Sequence, residues 1–188
     1  MARHKEFDRH MAIDAAIAVF REHGYEGAST GMLMDRMGIG RQSLYDTFGD
    51  KWQLYQAALQ RYSVGETSAH ATALKQGPRA VDGIRAMLAR VVERAMEPCL
   101  GVSAICEFGR SKPELSQIQD ACARGLRTNI SKAVREAQVQ GSLAGDSDPG
   151  EIADFLVACI AGIRIAARGG AGRKALNSLA RHAMLALR

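Results

Sequence analysis

The fold is decided by residues 30–48, which read Thr30-Gly31-Met32-Leu33-Met34-Asp35-Arg36-Met37-Gly38-Ile39-Gly40-Arg41-Gln42-Ser43-Leu44-Tyr45-Asp46-Thr47-Phe48. Apolar residues recur at helical spacing on both sides of the glycine pair, which predicts two short helices, about Thr30 to Met37 and Arg41 to Phe48. Two short helices around a Gly-containing turn of this length form a helix-turn-helix. The expected core of this unit is Leu33, Met37, Ile39, Leu44 and Phe48.

The flanking segments supply one helix before this unit and one after it. Residues 7–23 repeat apolar side chains on one helical face, and Gly24 is expected to end that helix. Ser29 is the expected N-cap of the second helix. Asp50 and Gln53 have the spacing of a capping box, which predicts a fourth helix that runs toward Tyr62 and either ends there or continues some way into the polar stretch 63–77.

The rest of the chain predicts five longer helices, at about 79–97, 101–109, 113–141, 149–168 and 172–187. The segments 111–114 and 148–151 are the expected caps of the third and fourth of these. The fold class is therefore all-α, with about nine helices: a three-helix helix-turn-helix domain over residues 1–62 and a larger helical domain over residues 63–188.

Composition and charge limit the classes of protein to which this chain can belong. Hydrophobic residues make up 47% of the chain, and the longest strongly apolar run, 155–163, is far shorter than the roughly 20 residues that cross a bilayer. No secretory signal precedes residue 7, so we expect a cytoplasmic protein with no membrane partner. The net charge is +5, but residues 1–62 hold eight Lys/Arg and eight Asp/Glu, so net charge alone does not indicate nucleic-acid binding.

The four cysteines, at positions 99, 106, 122 and 159, form no C-x-x-C pair and have no histidine at zinc-finger spacing. We therefore expect no metal site and no cofactor. Two interpretations of the thiols stay open: buried free cysteines in a reducing compartment, or a sensor of oxidants or electrophiles at Cys106 or another cysteine.

The segments 12–20, 24–27, 38–48 and Lys51 resemble, in order, spacing and residue type, the N-terminal domain of TetR-family repressors. Residues 79–188 have the helical outline of that family's ligand domain, and the step Cys99-Leu100 looks like the start of its sixth helix. The resemblance implies a transcriptional regulator, a repressor that leaves a palindromic double-stranded DNA operator when a small-molecule inducer binds. The alternative is a repressor that senses electrophiles through a thiol.

The resemblance also implies which residues touch DNA. The third helix would enter the major groove, where Arg and Gln can read base edges and hydroxyl groups can bind phosphates or bases. The expected contacts are Ser29, Thr30, Arg41, Gln42, Ser43, Tyr45, Asp46, Thr47 and Lys51. Gly31, Gly40 and Asp46 depart from the usual family residues. Arg3, Lys5 and Arg9 are either a basic arm on the phosphates or a solvated terminus.

The final two helices point to a homodimer. The run 155–163 has no polar side, so more than one of its faces must be buried. Small residues in it permit close helix approach, as in the four-helix interface that the family builds from its last two helices. The expected interface is Phe155, Ala158, Cys159, Ala161, Gly162, Leu176, Leu179 and Ala183.

In the family, the inducer binds among the middle helices. The apolar candidates there are Tyr62, Met87, Val91, Met96, Ile105, Cys106, Phe108, Leu126 and Ile130. Such a lining suits a hydrophobic ligand, with Glu107, Arg110 or Arg127 as the polar groups that orient it. Each of these apolar residues is also a candidate for plain core.

Two other classes fit the sequence less well. An enzyme would need nucleophile, base and acid groups placed together, whereas the five histidines lie near helix ends or in a polar linker. A helical adaptor for proteins would not need the set Arg41, Gln42, Ser43 and Tyr45 on its surface.

Overall fold

The computed structural model describes residues 8–187, and these form nine α-helices without a strand. The helices are α1 (Arg9–Gly27), α2 (Thr30–Met37), α3 (Arg41–Phe48), α4 (Lys51–Ala73), α5 (Ala80–Glu93), α6 (Leu100–Phe108), α7 (Pro113–Val139), α8 (Pro149–Arg168) and α9 (Arg173–Leu185). The all-α class and the helix count are confirmed.

Local capping explains most of the helix starts. The side chain of Asp8 accepts from the first amides of α1, and Ser29, Asp50 and Asp148 cap α2, α4 and α8 as expected. In the predicted capping segment 111–114, the N-cap of α7 is Lys112, which makes no side-chain capping bond. The Ser111 hydroxyl donates instead to the carbonyl of Phe108 at 2.7 Å, at the end of α6.

The bounds of α1 and α5 differ from expectation, whereas the end of α4 falls in the stretch where continuation was expected. The helix predicted over 7–23 runs over Arg9–Gly27, with Gly24 as a non-helical interruption at φ +70°. The helix α4 continues through Ala73, and α5 ends at Glu93 rather than near residue 97. The segment that follows α5 is held by side-chain bonds from Arg164 to the carbonyls of Arg94 and Glu97.

Two apolar cores hold these helices together. The first joins α1–α4 with α6 and the start of α7, through Leu100, Ala104 and Leu115. The second joins α5, α7, α8 and α9, and Ile84, Met87, Ile130 and Leu156 lie at its centre. Because α4 runs unbroken across residues 62 and 63 and α6 packs into the first core, the two predicted domains share a helix and a packed contact. The boundary itself stays a prediction.

Candidate functional site

The first feature of the site is the pair α2 and α3. The Ser29 hydroxyl accepts from the backbone N–H of Met32 at 3.1 Å, which fixes the start of α2. Gly38 ends α2 in the left-handed conformation at φ +67°, and its N–H bonds to the carbonyl of Met34. Leu33 and Leu44 are fully buried. The two helices therefore form one packed unit with a single outward face on α3.

That outward face carries the predicted base-reading residues. Arg41, Gln42, Tyr45 and Asp46 are exposed, whereas Ser43 and Thr47 are half-buried beside the Leu44 and Phe48 side of α3. Ser29 is exposed and Thr30 half-buried at the start of α2. Among the ion pairs of residues 8–187, none involves the Arg41 guanidinium.

Lys51 lies in the first turn of α4, behind an Asp50 carboxylate that accepts from the Gln53 amide at 2.7 Å. Its ammonium is 4.3 Å from the centre of the Tyr25 ring, a cation–π distance. Tyr25 in turn packs edge-on against Trp52 at 5.2 Å between ring centres. The aromatic support of Lys51 was not predicted, because its members are dispersed along the sequence.

The predicted basic arm falls largely outside the described residues, which exclude Arg3 and Lys5. Arg9 is described, and its guanidinium lies 5.4 Å from the centre of the Phe48 ring at the end of α3. Arg9 is therefore placed beside the helix-turn-helix.

Sequence reasoning also missed the contacts that join α6 to the end of α1. The Nε of Arg21 donates to the carbonyl of Pro98 at 2.6 Å, and its Nη2 pairs with Glu97 at 3.0 Å. Arg94 and then Arg21 lower the pKa of Glu97 to about 2 through hydrogen bonds. The Glu107 carboxylate accepts from the backbone N–H groups of Tyr25 and Glu26. Partners 76 to 82 residues apart leave no local signal in the sequence.

The nine predicted ligand residues lie in three environments. Four are in the packed second core, four are on or near the surface of the segment 96–108, and Tyr62 faces a groove beside α1. The buried four are Met87, Val91, Leu126 and Ile130; the next four are Met96, Ile105, Cys106 and half-buried Phe108. None of the four cavities that we describe in residues 8–187 is lined by more than one of the nine. Their role in binding stays a prediction.

The three polar groups expected beside a ligand have partners of their own. Glu107 bonds to the α1 end, Arg110 pairs with Asp120 at 2.6 Å, and Arg127 pairs with Asp154 at 2.7 Å.

Six of the eight predicted interface residues are exposed or half-buried in the single chain. Phe155 is 42% exposed and Leu179 45% exposed, and Ala158 and Gly162 are exposed as well. Cys159 and Ala161 are half-buried. Leu176 and Ala183 differ, because both are buried in the second core of the same chain. The exposed face of α8 also includes Ile165.

A buried ion network, which the sequence did not reveal, joins α4, α5 and α8. The Glu66 carboxylate pairs with Arg90 at 2.8 Å and with Arg164 at 3.1 Å. Burial alone would raise the pKa of Glu66, but the bonds and charges of the two arginines lower it. His70, one turn along α4, is buried, and burial together with the charge of Arg90 lowers its pKa to about 4.

The cysteines differ in exposure. Cys106 is exposed on α6, and the other three are half-buried. Burial raises the pKa of the Cys159 thiol, which disfavours the reactive thiolate there. The Cys122 sulfur lies 3.1 Å from the Thr67 hydroxyl.

Several open grooves cross the surface. The largest described, about 770 Å³, lies between α1, α4 and α5, and a smaller one of about 320 Å³ lies between α4 and α7. Across residues 8–187, no helix combines the length with the apolar character that a membrane span requires.

Comparisons with known proteins agree with this geometry. Residues 12–58 match the family described as bacterial regulatory proteins, tetR family, and residues 79–183 match the family described as tetracyclin repressor-like, C-terminal domain. The chain is 33% identical over 162 residues to the uncharacterized HTH-type transcriptional regulator YezE of Bacillus subtilis (strain 168), covering 83% of this chain and 84% of that protein.

Two further proteins are similar over nearly the whole chain. The HTH-type transcriptional repressor ComR of Escherichia coli (strain K12) is 26% identical over 184 residues, which cover 95% of this chain and 88% of ComR. A cysteine mutant of the TetR family transcriptional regulator CifR, solved with 26bp double-strand operator DNA, superposes with a TM-score of 0.85 at 28% identity. That match covers 99% of this chain and 100% of CifR.

Proposed function

Because this chain belongs to the TetR family of bacterial regulatory proteins, we propose that it is a homodimeric repressor that a small-molecule inducer releases from a palindromic operator. Family membership makes it a DNA-binding transcriptional regulator. We propose three further properties: a palindromic operator, repression rather than activation, and release from the operator by an inducer.

The observation that carries the proposal is the exposed face of α3. Arg41, Gln42 and Tyr45 project from a helix whose opposite side is packed into the first core. Side chains of these types, on the second helix of a helix-turn-helix, suit base edges in the major groove. Ser29, Thr30 and Lys51 flank that face at the starts of α2 and α4, where hydroxyl, amide and ammonium groups suit phosphates. Ser43, Asp46 and Thr47 complete the proposed contact set.

Two relatives support the repressor assignment. CifR is bound to operator DNA in its solved structure, and ComR is described as a repressor. We extend both properties to this chain because each match covers nearly all of it. Cytoplasmic localisation follows from this assignment, since a regulator must reach the chromosome. We assign no catalytic residue.

The homodimer is proposed from the exposed apolar face of α8 and α9. Phe155, Ile165 and Leu179 are each more than 40% exposed, and Ala158 and Gly162 lie between the first two. A partner helix can approach closely over such small residues while covering the larger ones. A two-fold interface of this kind presents two α3 helices to two half-sites about one helical turn apart.

Induction requires a difference in free energy between two arrangements. A ligand weakens operator binding only if it binds better when the two α3 helices have the wrong separation. Linkage then requires operator DNA to weaken ligand binding by the same factor. The bonds of α1 to Glu107 of α6 and to Pro98 just before α6 offer a route for such coupling, because they join this part of the chain to the segment that leads into α2.

The test is an electrophoretic mobility shift with the DNA upstream of the protein's own gene. We expect a dimer on a pseudo-palindromic site, and we expect the double variant R41A/Q42A to lose preference for that site. The matched control is R135A, which removes an exposed arginine from α7. A footprint of one asymmetric half-site with monomer stoichiometry would contradict the proposal.

The induction step has its own test. Compounds are screened for thermal stabilisation of the full chain, and each hit is then titrated against the operator complex. If tight-binding compounds leave operator affinity unchanged, induction fails while DNA binding stands.

A further inference from the structure

The groove between α1, α4 and α5 combines an apolar surface with many cationic side chains. Its apolar part is formed by Ile13, Ile17, Ala57, Tyr62 and Val64, and its arginines are Arg9, Arg21, Arg61, Arg90 and Arg94. At about 770 Å³ it has the size of a small-molecule site. One wall belongs to α1 of the helix-turn-helix unit, and the other belongs to α4 and α5.

The charges of this groove do not balance. Its lining contains two carboxylates, Asp14 and Glu66, which pair with Arg61 at 2.6 Å and with Arg90 at 2.8 Å. A third carboxylate, Glu97, does not line the groove but forms ion pairs with both Arg21 and Arg94. Among the residues that the structure describes, these five arginines thus meet three carboxylates, and the excess charge is positive.

The excess of positive charge also includes Arg164, which does not line the groove but bonds to the lining residue Glu66. Glu66 is shared by Arg90 and Arg164, whose side chains are only 16% and 4% exposed, so one carboxylate faces two guanidinium groups. The remaining bonds of Arg164 go to neutral backbone carbonyls. Both arginines bond to Glu66, but one carboxylate balances only one of the two positive charges, so a bound anion would offset the excess. The low pKa of neighbouring His70 has burial as its first cause and the Arg90 charge as its second, so this position disfavours a further cation.

We propose that this groove binds a small organic anion, one acidic group on an apolar body, with the acidic group at Arg90 and Arg94 and the body against Ile17 and Tyr62. Arg90 and Arg94 already bond to Glu66 and Glu97, and it is the excess positive charge of this cluster that attracts a carboxylate or sulfonate, while the apolar surface accepts the rest of the ligand. The binding step is independent of the proposed operator function, because none of its residues lies on the outward face of α3. An occupant would bridge α1 and α5.

Gly65 provides a test that does not remove any existing contact. This glycine lines the groove on α4, and a Cβ built on it meets no atom within 4 Å. G65L should therefore obstruct the groove without disturbing the fold, and G65A is the matched control that changes the same position with little bulk. R94Q removes one cation whose side chain is 45% exposed.

The probe is anilinonaphthalene sulfonate, titrated by fluorescence against the full chain, with phenylnaphthylamine as the same ring system without the acidic group. We expect the sulfonate to bind the wild type and G65A alike, and to lose its site in G65L. R94Q should weaken the sulfonate about ten-fold, the factor for one charge-assisted hydrogen bond, and leave the neutral probe unchanged.

Added salt should weaken the sulfonate more than the neutral probe. Equal affinity of the sulfonate for wild type, G65L and R94Q would place its binding elsewhere and overturn the proposal, and so would an absence of binding to the wild type. A mobility shift on the same preparations reports operator binding separately, so a failed anion site and a failed repressor function are distinguishable.

Discussion

The Glu107 carboxylate accepts a hydrogen bond of 3.1 Å from the backbone N–H of Tyr25, 82 residues earlier in the chain. Its second oxygen accepts from the N–H of Glu26 at 3.0 Å. Gly24 makes this approach possible, because it adopts φ +70° and a Cβ there would lie 3.2 Å from the carboxylate. The helix α6 therefore holds the segment that leads into α2.

We expect E107A to lower the free energy of unfolding by about 1 kcal/mol, since two backbone donors lose a charged acceptor but remain accessible to water. Operator affinity should fall as well, because the entry to α2 loosens. E107Q keeps one acceptor oxygen, so its free energy of unfolding and its operator affinity should lie between those of the wild type and those of E107A. The measurements are urea unfolding and a mobility shift, with E136A on the exposed side of α7 as the control. A wild-type unfolding midpoint for E107A would show that the contact contributes nothing.

The helices and several of their caps were predictable because both depend on residues close in sequence. Ser29, Asp50 and Asp148 each bond to an amide two or three residues away, so the pattern that predicts the cap also contains its partner. The outward face of α3 followed in the same way from the spacing of Leu44 and Phe48.

The contacts that join distant helices were not predictable. Glu66 and Arg164 are 98 residues apart, and Arg21 and Pro98 are 77 apart, so no periodicity connects them. The partner of an apolar helix face was not predictable either, because the apolar stripe of α9 can pack against its own chain or against a second copy. Leu176 and Ala183, expected at the interface, are buried in the core of their own chain.

The second prediction concerns base reading by α3. R41A and Q42A should each reduce the preference for the operator over a scrambled sequence, by about 1–3 kcal/mol for each bidentate contact that is lost. Both side chains are exposed, so the variants should fold as the wild type does. Competition mobility shifts measure the preference, with R135A as the control. An unchanged preference in both variants would assign base reading to other residues.

Lys51 is expected to contact phosphate rather than bases. Its ammonium is held over the Tyr25 ring at the start of α4, and not on the helix α3 that carries Arg41. K51A should weaken binding to operator and scrambled DNA alike and reduce the slope of log affinity against log salt by about one. The control is K132A, on the exposed side of α7. If K51A altered sequence preference while R41A did not, the two roles would be reversed.

The fourth prediction concerns the interface of α8. A158E places a carboxylate on the exposed apolar face near Phe155 and Gly162, where a single chain tolerates it but a packed partner does not. We expect sedimentation to report a monomer and the mobility shift to report loss of operator binding. A123E, at an exposed position of α7, introduces the same charge elsewhere and should remain dimeric. A dimeric A158E would place the interface on another surface.

The last prediction is a pH dependence of stability at His70. Burial first, and the charge of Arg90 second, lower the pKa of His70 from 6.5 to about 4, while Glu66 opposes the shift and Arg164 adds to it. Between pH 6.5 and about pH 4, the unfolded chain therefore binds a proton at His70 that the folded chain does not bind. As the pH falls through that window, this residue should lower the free energy of unfolding by about 1.4 kcal/mol per unit.

H70Q removes this titration, so its urea midpoint should change less than that of the wild type between pH 7 and about pH 5. The carboxylate of Glu66 does not mask the effect, because its pKa is lowered and it remains charged across the window. H182Q removes an exposed histidine from α9 and should keep the wild-type change. If the urea midpoints of H70Q and the wild type fall equally over this range, the folded chain accommodates a protonated His70. The excess of positive charge around Arg90 and Arg164 is then smaller than their pairing with one carboxylate implies.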